Sequence, residues 1–512
     1  MRSGLLALAL LLSTAAFAED SSATAGDAPS AEAKADADKP DPDTIKASVE
    51  EIAQPVKRAI PFHGRRLGYT VTPGTLTIRN DDGAPVASMF YVAYTMEPRG
   101  RPRPVTFLFN GGPGTSSMWL HMGSFGPMKV DASTPEMIPG PPFRYGPNPD
   151  TLLDISDLVF IDMPTTGFSR PLGKAKPKDF FGVDKDIDAF SRTIERYLTK
   201  YGRWNSPKFL IGESYGTTRA AGLSNHLADH GVQLNGVVLV STVLNFADFQ
   251  GDQSFINFFP TLAADAWYHG KIEPKPELMA FVDEARAFAS GPYASALQKG
   301  NAIGEDEKRA VAAQMARFLG ISADYIARSN LRVSDDRFRR ELLRDRHQII
   351  GRIDSRYLGT EADAAGGGTT YDPQASSITG AFVGAANDYL LRDLGYRTPL
   401  TYRPNNYAAI GDDWDLTHKS ADGTQQIADT SVDLAAAMRA NPRLKVLSVN
   451  GLYDLATPFF GADYELGHMA LEPQIAANVR YTYYPSGHMM YIDPPSARQL
   501  KADLAAFYAS AR

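Results

Sequence analysis

The chain has 512 residues, 43% of them hydrophobic and 22% charged, and a formal net charge of −7. That is apolar material for a large core, and an acidic balance without a Lys/Arg block excludes nucleic acid and anionic membrane as partners. Cysteine is absent, so thiol catalysis and disulfide staples are excluded, and no H-E-x-x-H or similar spacing offers a metal site; neither metal nor cofactor is expected.

At the N-terminus, Arg2, the apolar run Leu5 to Leu12 and the small-residue site Ala16-Phe17-Ala18 read as a signal peptide cleaved after Ala18. The product is expected to be exported, periplasmic or secreted. The run is short of the roughly 20 apolar residues a spanning helix needs, and no later run reaches that length, so no stable membrane insertion is expected. Residues 19–45, rich in Ala, Asp, Ser and Pro, cannot bury enough apolar surface to order and read as a tether.

Residues 46–246 are expected to form the first part of an α/β core. Residues 66–79 and 87–96 alternate like antiparallel strands around a turn at Asp81-Asp82-Gly83, the edge of a mixed sheet. Val105-Thr-Phe-Leu-Phe109 reads as a strand that ends in Asn110-Gly111-Gly112-Pro113-Gly114. Taken alone this is an ordinary Gly/Pro turn; paired with a nucleophile it is a source of backbone N–H donors for an oxyanion. The nucleophile comes about one hundred residues later. Lys208-Phe-Leu-Ile211 reads as a buried strand, Gly212-Glu213-Ser214-Tyr215-Gly216 as a G-x-S-x-G elbow, and residues 217–230, with Ala220, Ala221, Leu223 and Leu227, as the helix behind it. Side chains at Gly212 and Gly216 would collide with the backbone of so sharp a turn. Ser214 is the expected nucleophile, and the N–H groups of Gly112 and Tyr215 the expected oxyanion hole.

Between Ser214 and the next candidate, Asp454, lie 240 positions, more than a few β-α units require. Residues 247–425 are therefore expected to form a mainly helical cap, with helical spacing at 276–286 and 305–318 and an interruption at Gly366-Gly367-Gly368. Phe255, Phe258, Phe259 and Trp267 are candidates for its pocket wall, although ordinary core is the expectation for most of them. Arg337-Phe338-Arg339-Arg340 reads as a solvated helix face.

Residues 426–512 complete the core. A strand at 444–451 runs into Leu452-Tyr453-Asp454, and a strand at 479–485 closes on Ser486-Gly487-His488. His488 is the base candidate because it alone among the nine histidines follows a late strand; His226 and His230 read as solvated helix residues. Asp454 is preferred over Asp463, read as solvated or capping, and over Asp493, read as a turn residue before Pro494. Residues 495–510, with Leu500, Leu504, Phe507 and Tyr508 at helical spacing, should pack back on the sheet.

The ordered motifs Asn110-Gly-Gly-Pro-Gly114, Gly212-Glu-Ser-Tyr-Gly216, Asn450-Gly-Leu-Tyr-Asp454 and Gly487-His488 resemble those of the serine carboxypeptidase family, as does Asp157-Leu-Val-Phe-Ile-Asp-Met-Pro-Thr-Thr-Gly-Phe-Ser169. The resemblance implies an α/β-hydrolase fold and a triad of Ser214, Asp454 and His488 acting on peptide or protein C-termini. It further implies that Asn110, Gly111 and Glu213 bind substrate, with Asn110 and a protonated Glu213 holding the terminal carboxylate. A buried carboxyl beside an anion keeps its proton to higher pH, so acidic pH should be favoured. Several positions depart from the family pattern: Ser124 stands where many members have a second glutamate, Leu108 where tryptophan is common, and Thr115 where a cysteine is common. Met489-Met490-Tyr491 follows His488 where the family often has proline. An esterase or acyltransferase using the same triad is the alternative, because elbow and oxyanion hole are indifferent to the leaving group.

Overall fold

The computed structural model describes residues 46–97, 102–132, 135–363 and 365–511. The expected signal peptide and tether lie outside them. Nine strands, β1 (Val56–Phe62), β2 (Arg65–Arg79), β3 (Pro85–Thr95), β4 (Val105–Phe109), β5 (Asp157–Ile161), β6 (Lys208–Glu213), β7 (Gly236–Val240), β8 (Lys445–Gly451) and β9 (Val479–Tyr484), make one sheet in the order β1-β2-β3-β5-β4-β6-β7-β8-β9. The short segment Arg170–Pro171 adds to β3. Pairings from β1 to β5 are antiparallel, and those from β5 to β9 are parallel.

The division follows from the residues. In the first half of β2 buried and accessible positions alternate, as they do on an edge with one wet face. Strands β4 to β7 are buried at every position, and apolar residues dominate them, as in Val105-Thr-Phe-Leu-Phe109 and Gly236-Val-Val-Leu-Val240. Helices cover both of their faces. On one side lie α1 (Val183–Lys200) and α2 (Tyr215–Asp229), whose Phe190, Ile194 and Leu223 share a core with Phe107, Leu210 and Val237. The C-terminal helix, Pro494–Ser510, packs Leu504, Phe507 and Tyr508 on the other face, with Tyr508 stacked on Phe209 at 4.1 Å. A parallel sheet in this order, with one antiparallel edge and helices on both faces, is the α/β-hydrolase fold.

The long connection from β7 to β8 begins with α3 (Gly251–Tyr268), α4 (Leu278–Phe288), α5 (Glu305–Leu319), α6 (Asp335–Glu341) and α7 (Pro373–Asn387). It closes with α8 (Ser431–Ala440), which packs on α2. The connection has a core of its own, in which Phe259 meets Phe288, Tyr293 and Phe318. Phe258 belongs to that core, and Phe255 and Trp267 pack against it.

Three surface readings are corrected. Arg339 and Arg340 on α6 are buried, not solvated: Arg339 pairs with Asp336 at 2.8 Å and Arg340 with Glu361 at 3.5 Å, so each charge enters with a counter-charge. Asp463, on helix α9 (Phe459–Gly467), is neither solvated nor a cap; it pairs with Arg286 at 3.0 Å and accepts from the Tyr483 hydroxyl at 2.6 Å. His226 is half-buried on α2, and its Nε2 is shut from solvent. Asp493 does more than precede a proline, since it caps the C-terminal helix (α10) through the Ser496 N–H and pairs with Arg356 at 3.1 Å.

Candidate active site

The ends of four strands, β4, β6, β8 and β9, and one segment of the β7–β8 connection meet at the carboxyl edge of the sheet, where open α/β sheets place their ligand crevices. Strand β6 ends at Glu213, and the next residue, Ser214, has φ 59° and ψ −131° before α2 begins at Tyr215. A positive φ on a side-chain-bearing residue is strained and persists only where its surroundings over-determine it. Here the Ser214 N–H donates to the Val240 carbonyl at 2.9 Å, while its carbonyl accepts from the Thr217 N–H and hydroxyl, both at 2.7 Å. A Cβ on Gly212 would lie 1.9 Å from the Gly216 oxygen, and one on Gly111 would lie 2.5 Å from the N atoms of Tyr215 and Gly216. The glycines therefore let the β4 turn close directly onto the elbow. Tyr215 opens α2, so its N–H is one of the first four that no preceding helical carbonyl takes. It lines one cleft together with Asn110, Gly111, Gly112, Ser214 and His488.

His488 and Asp454 come from the ends of β9 and β8. The Nδ1 of His488 is 2.8 Å from Asp454 Oδ2, and the aspartate is fully buried. Thr457 donates its hydroxyl to Asp454 Oδ2 at 2.7 Å, and the N–H groups of Ala456 and Thr457 hold Oδ1 at 2.8 and 3.0 Å. A carboxylate on Nδ1 fixes the tautomer that leaves Nε2 unprotonated in the neutral ring. Burial alone would lower the His488 pKa; the Asp454 charge and hydrogen bond, with help from Glu213, outweigh it and leave the group raised.

Glu213 also sits beside that nitrogen, its Oε1 4.0 Å from His488 Nε2. It is buried, and its pKa is pushed up to about 7 by that burial, against the opposing pull of His488, of Tyr491 and of Asn110. The Tyr491 hydroxyl donates to Glu213 Oε2 at 2.6 Å. Asn110 uses its Oδ1 to accept the Leu120 N–H at 3.0 Å, which turns its amide toward the glutamate. Ser124 is buried and donates to the Leu120 carbonyl at 2.6 Å, so it adds no group to the cleft.

The structure thus brings together every site residue expected from the sequence, and it adds others. Tyr491 was visible only as a departure from the family pattern; its role lies in a contact 278 positions away in sequence. Arg219 of α2 and Asp186 of α1 form a fully buried pair, with bonds of 2.6 and 3.0 Å, and a third guanidinium N–H holds the Asn110 carbonyl at 2.7 Å. That arginine lies five residues after Ser214, a spacing that carried no signal until α1 was placed beside it. The cap adds Arg352, Ile353, Tyr371 and Asp372 to a cleft of about 290 Å³. Phe255, Phe258, Phe259 and Trp267 are not in its lining, whose aromatic part is Trp119, Tyr215, Phe246, Phe249, Tyr371 and Tyr407. Among the described residues no group of three or more His, Asp or Glu side chains could hold a metal, and no helix is long and apolar enough to cross a membrane.

Fold and site together define an α/β-hydrolase with a serine on the nucleophile elbow. Residues 71–275, from β2 through the elbow into the connection after β7, match the family model for serine carboxypeptidase, hydrolases of peptide bonds. Asp454 and His488 lie beyond the matched residues. Among solved structures, a proline iminopeptidase from Mycobacterium smegmatis is 13% identical, covering 85% of this chain and 98% of its own, with a TM-score of 0.37. An acetylester hydrolase from Corynebacterium glutamicum is 12% identical, over 87% and 96%, also at 0.37. A carboxyl esterase from Bacillus coagulans is 11% identical, over 85% and 96%, at 0.34. Among curated proteins, none matches the chain.

Proposed function

We propose that the protein is an exported serine carboxypeptidase that releases the C-terminal residue of peptides through an acyl-enzyme, favouring the acidic side of neutrality. Ser214 attacks the scissile carbonyl, His488 takes its proton at Nε2 and passes it to the leaving amine, and Asp454 orients the ring. The N–H groups of Gly112 and Tyr215 receive the oxyanion. Water then repeats the cycle on the acyl-enzyme. The observation that carries the choice of exopeptidase is Glu213: a buried carboxyl with its pKa near 7, directly beside the nucleophile, with Asn110 at its side. Protonated, it donates to a terminal carboxylate; ionised, it repels one. An esterase would have no use for such a group.

The two titrations oppose each other. Activity rises as His488 loses its proton and falls as Glu213 loses its own, so the profile of kcat/KM is bell-shaped with its alkaline limb near neutrality. The experiment is release of free amino acid from N-blocked dipeptides, against the same peptides amidated, over roughly pH 4 to 8. Release from the free acids alone, absent in Ser214→Ala, with Glu213→Gln keeping activity above the alkaline limb of the parent, is the expected result. Gln keeps an N–H donor and cannot ionise. No peptide release, together with Ser214-dependent turnover of simple esters, would replace this reading with an esterase or acyltransferase.

A further inference from the structure

The cleft holds a cation that the triad does not use. Arg352 lies on the cap segment 349–357, half-buried, and lines the same cleft as Ser214, Glu213 and His488. Its place is fixed from both catalytic loops: the Leu455 N–H donates to its carbonyl at 2.9 Å, and the carbonyl of the next residue, Ile353, accepts the His488 N–H at 2.8 Å. The guanidinium therefore projects from backbone held in register with the base.

The other charges of the cleft are engaged. Asp372 receives the N–H groups of Arg352, Ile353 and Ala375 and caps α7. Arg339 pairs with Asp336 at 2.8 Å and Asp335 at 3.9 Å. Glu213 is held by Tyr491, and His488 by Asp454. Among the described residues, no carboxylate lies within ion-pair distance of the Arg352 guanidinium, and no hydrogen bond leaves it. A half-buried guanidinium has lost part of its hydration and presents a planar fork that fits a carboxylate. Ser124 adds no polar group to the cleft, since its hydroxyl donates to the Leu120 carbonyl.

We propose that Arg352 binds a carboxylate of the substrate, supplied either by the peptide's C-terminus or by an acidic side chain next to the scissile bond. The proposal rests on the carboxypeptidase reading of the same site; with an acidic side chain as the source it makes the enzyme selective for anionic peptides.

Arg352→Gln and Arg352→Lys are compared with the parent on N-blocked dipeptides carrying Glu or Gln at each position in turn, and on a neutral ester without a carboxylate. If the side chain is the source, the Glu-over-Gln ratio of kcat/KM falls roughly tenfold or more in Arg352→Gln, as for loss of a charge-assisted hydrogen bond, and partly returns in Arg352→Lys. If the C-terminus is the source, KM rises by a similar factor on every free-acid peptide, kcat moves little, and the ratio stays. Either result supports the proposal. Constants for Arg352→Gln within about a factor of two of the parent across the set, or an equal fall on peptides and on the ester, overturn it. If the parent releases no amino acid from any peptide, the carboxypeptidase reading fails by itself, and Arg352 is then read by inhibition of ester turnover with N-acetylglutamate. Inhibition roughly tenfold weaker in Arg352→Gln supports carboxylate binding, and equal inhibition overturns it.

Discussion

Glu213 and His488 hold their reactive atoms 4.0 Å apart and make opposite demands on the proton supply. With one proton between them the pair is either neutral at both sites, the productive state, or ionised at both, so its titration belongs to the pair. Tyr491 biases that balance. By donating to Glu213 Oε2 it stabilises the carboxylate and pulls the Glu213 pKa down against burial. Tyr491→Phe removes that pull, and the alkaline limb of kcat/KM is expected to move up by about one pH unit, the size of one hydrogen bond to a charged group. A pH profile on a neutral free-acid dipeptide checks it; a limb that stays, or moves down, removes Tyr491 from the pair. At this scale the sequence revealed what is local. Ser214, Asp454 and His488 each stand in a short motif at a strand end, where a few residues impose the backbone. Tyr491, Arg219 and Arg352 acquire meaning only when segments far apart in the chain meet, and no periodicity encodes that.

Elements were legible to the extent that their residues have one dominant reason to be where they are. The apolar runs at the centre of β4, β6 and β7 have no reading except burial on both faces, and α5 announces itself by apolar spacing and by Glu305, Asp306 and Glu307 in its first turn. Charged segments were harder, because burial of a charge depends on a partner elsewhere, as for Arg340 with Glu361. The same dependence makes a latch at His418. Its Nδ1 lies 2.6 Å from Asp184 at the start of α1, and its Nε2 lies 2.6 Å from Asp433 on α8, so one imidazolium ties together two core helices and the segment between α7 and α8. Burial would lower its pKa; the two carboxylates overcome that and lift it to about 9. A folded pKa raised above the unfolded value adds stability that is complete below about 6.5 and is lost as pH rises through about 9. The urea midpoint should therefore fall between those limits, and His418→Gln should flatten that part of the curve. An unchanged slope in the variant would assign the decline to other groups.

At the scale of the molecule, cap and core are joined where catalysis needs precision. The segment 349–357 behaves as a splint across both late loops: Ile353 and Asp354 bind the backbone of His488 and Gly487, while Arg352 and Ser355 bind that of Leu455 and Tyr453. Beneath it, Arg356 pairs with Asp354 at 2.7 Å and also reaches the Ser486 hydroxyl at 2.8 Å and Asp493. Asp354 is 1% exposed, so its charge is tolerable only while Arg356 is present. Arg356→Met strands the buried Asp354 charge and should cost about 3–5 kcal/mol of stability, whereas Asp354→Asn leaves Arg356 with Asp493 and should cost less. The double variant strands neither charge and should lose less than the sum of the two. A double-mutant cycle in urea measures that coupling. Because Asp354 and Arg356 brace the base and, unlike Arg352, lie outside the cleft lining, the same variants should lower kcat for a peptide and for a neutral ester by similar factors. Arg352→Gln, by contrast, should separate the two substrates. Additive stability losses would mean that Asp354 and Arg356 do not depend on each other, and a peptide-selective loss in Asp354→Asn would mean that Asp354 acts on the substrate and that the base is positioned by the core alone.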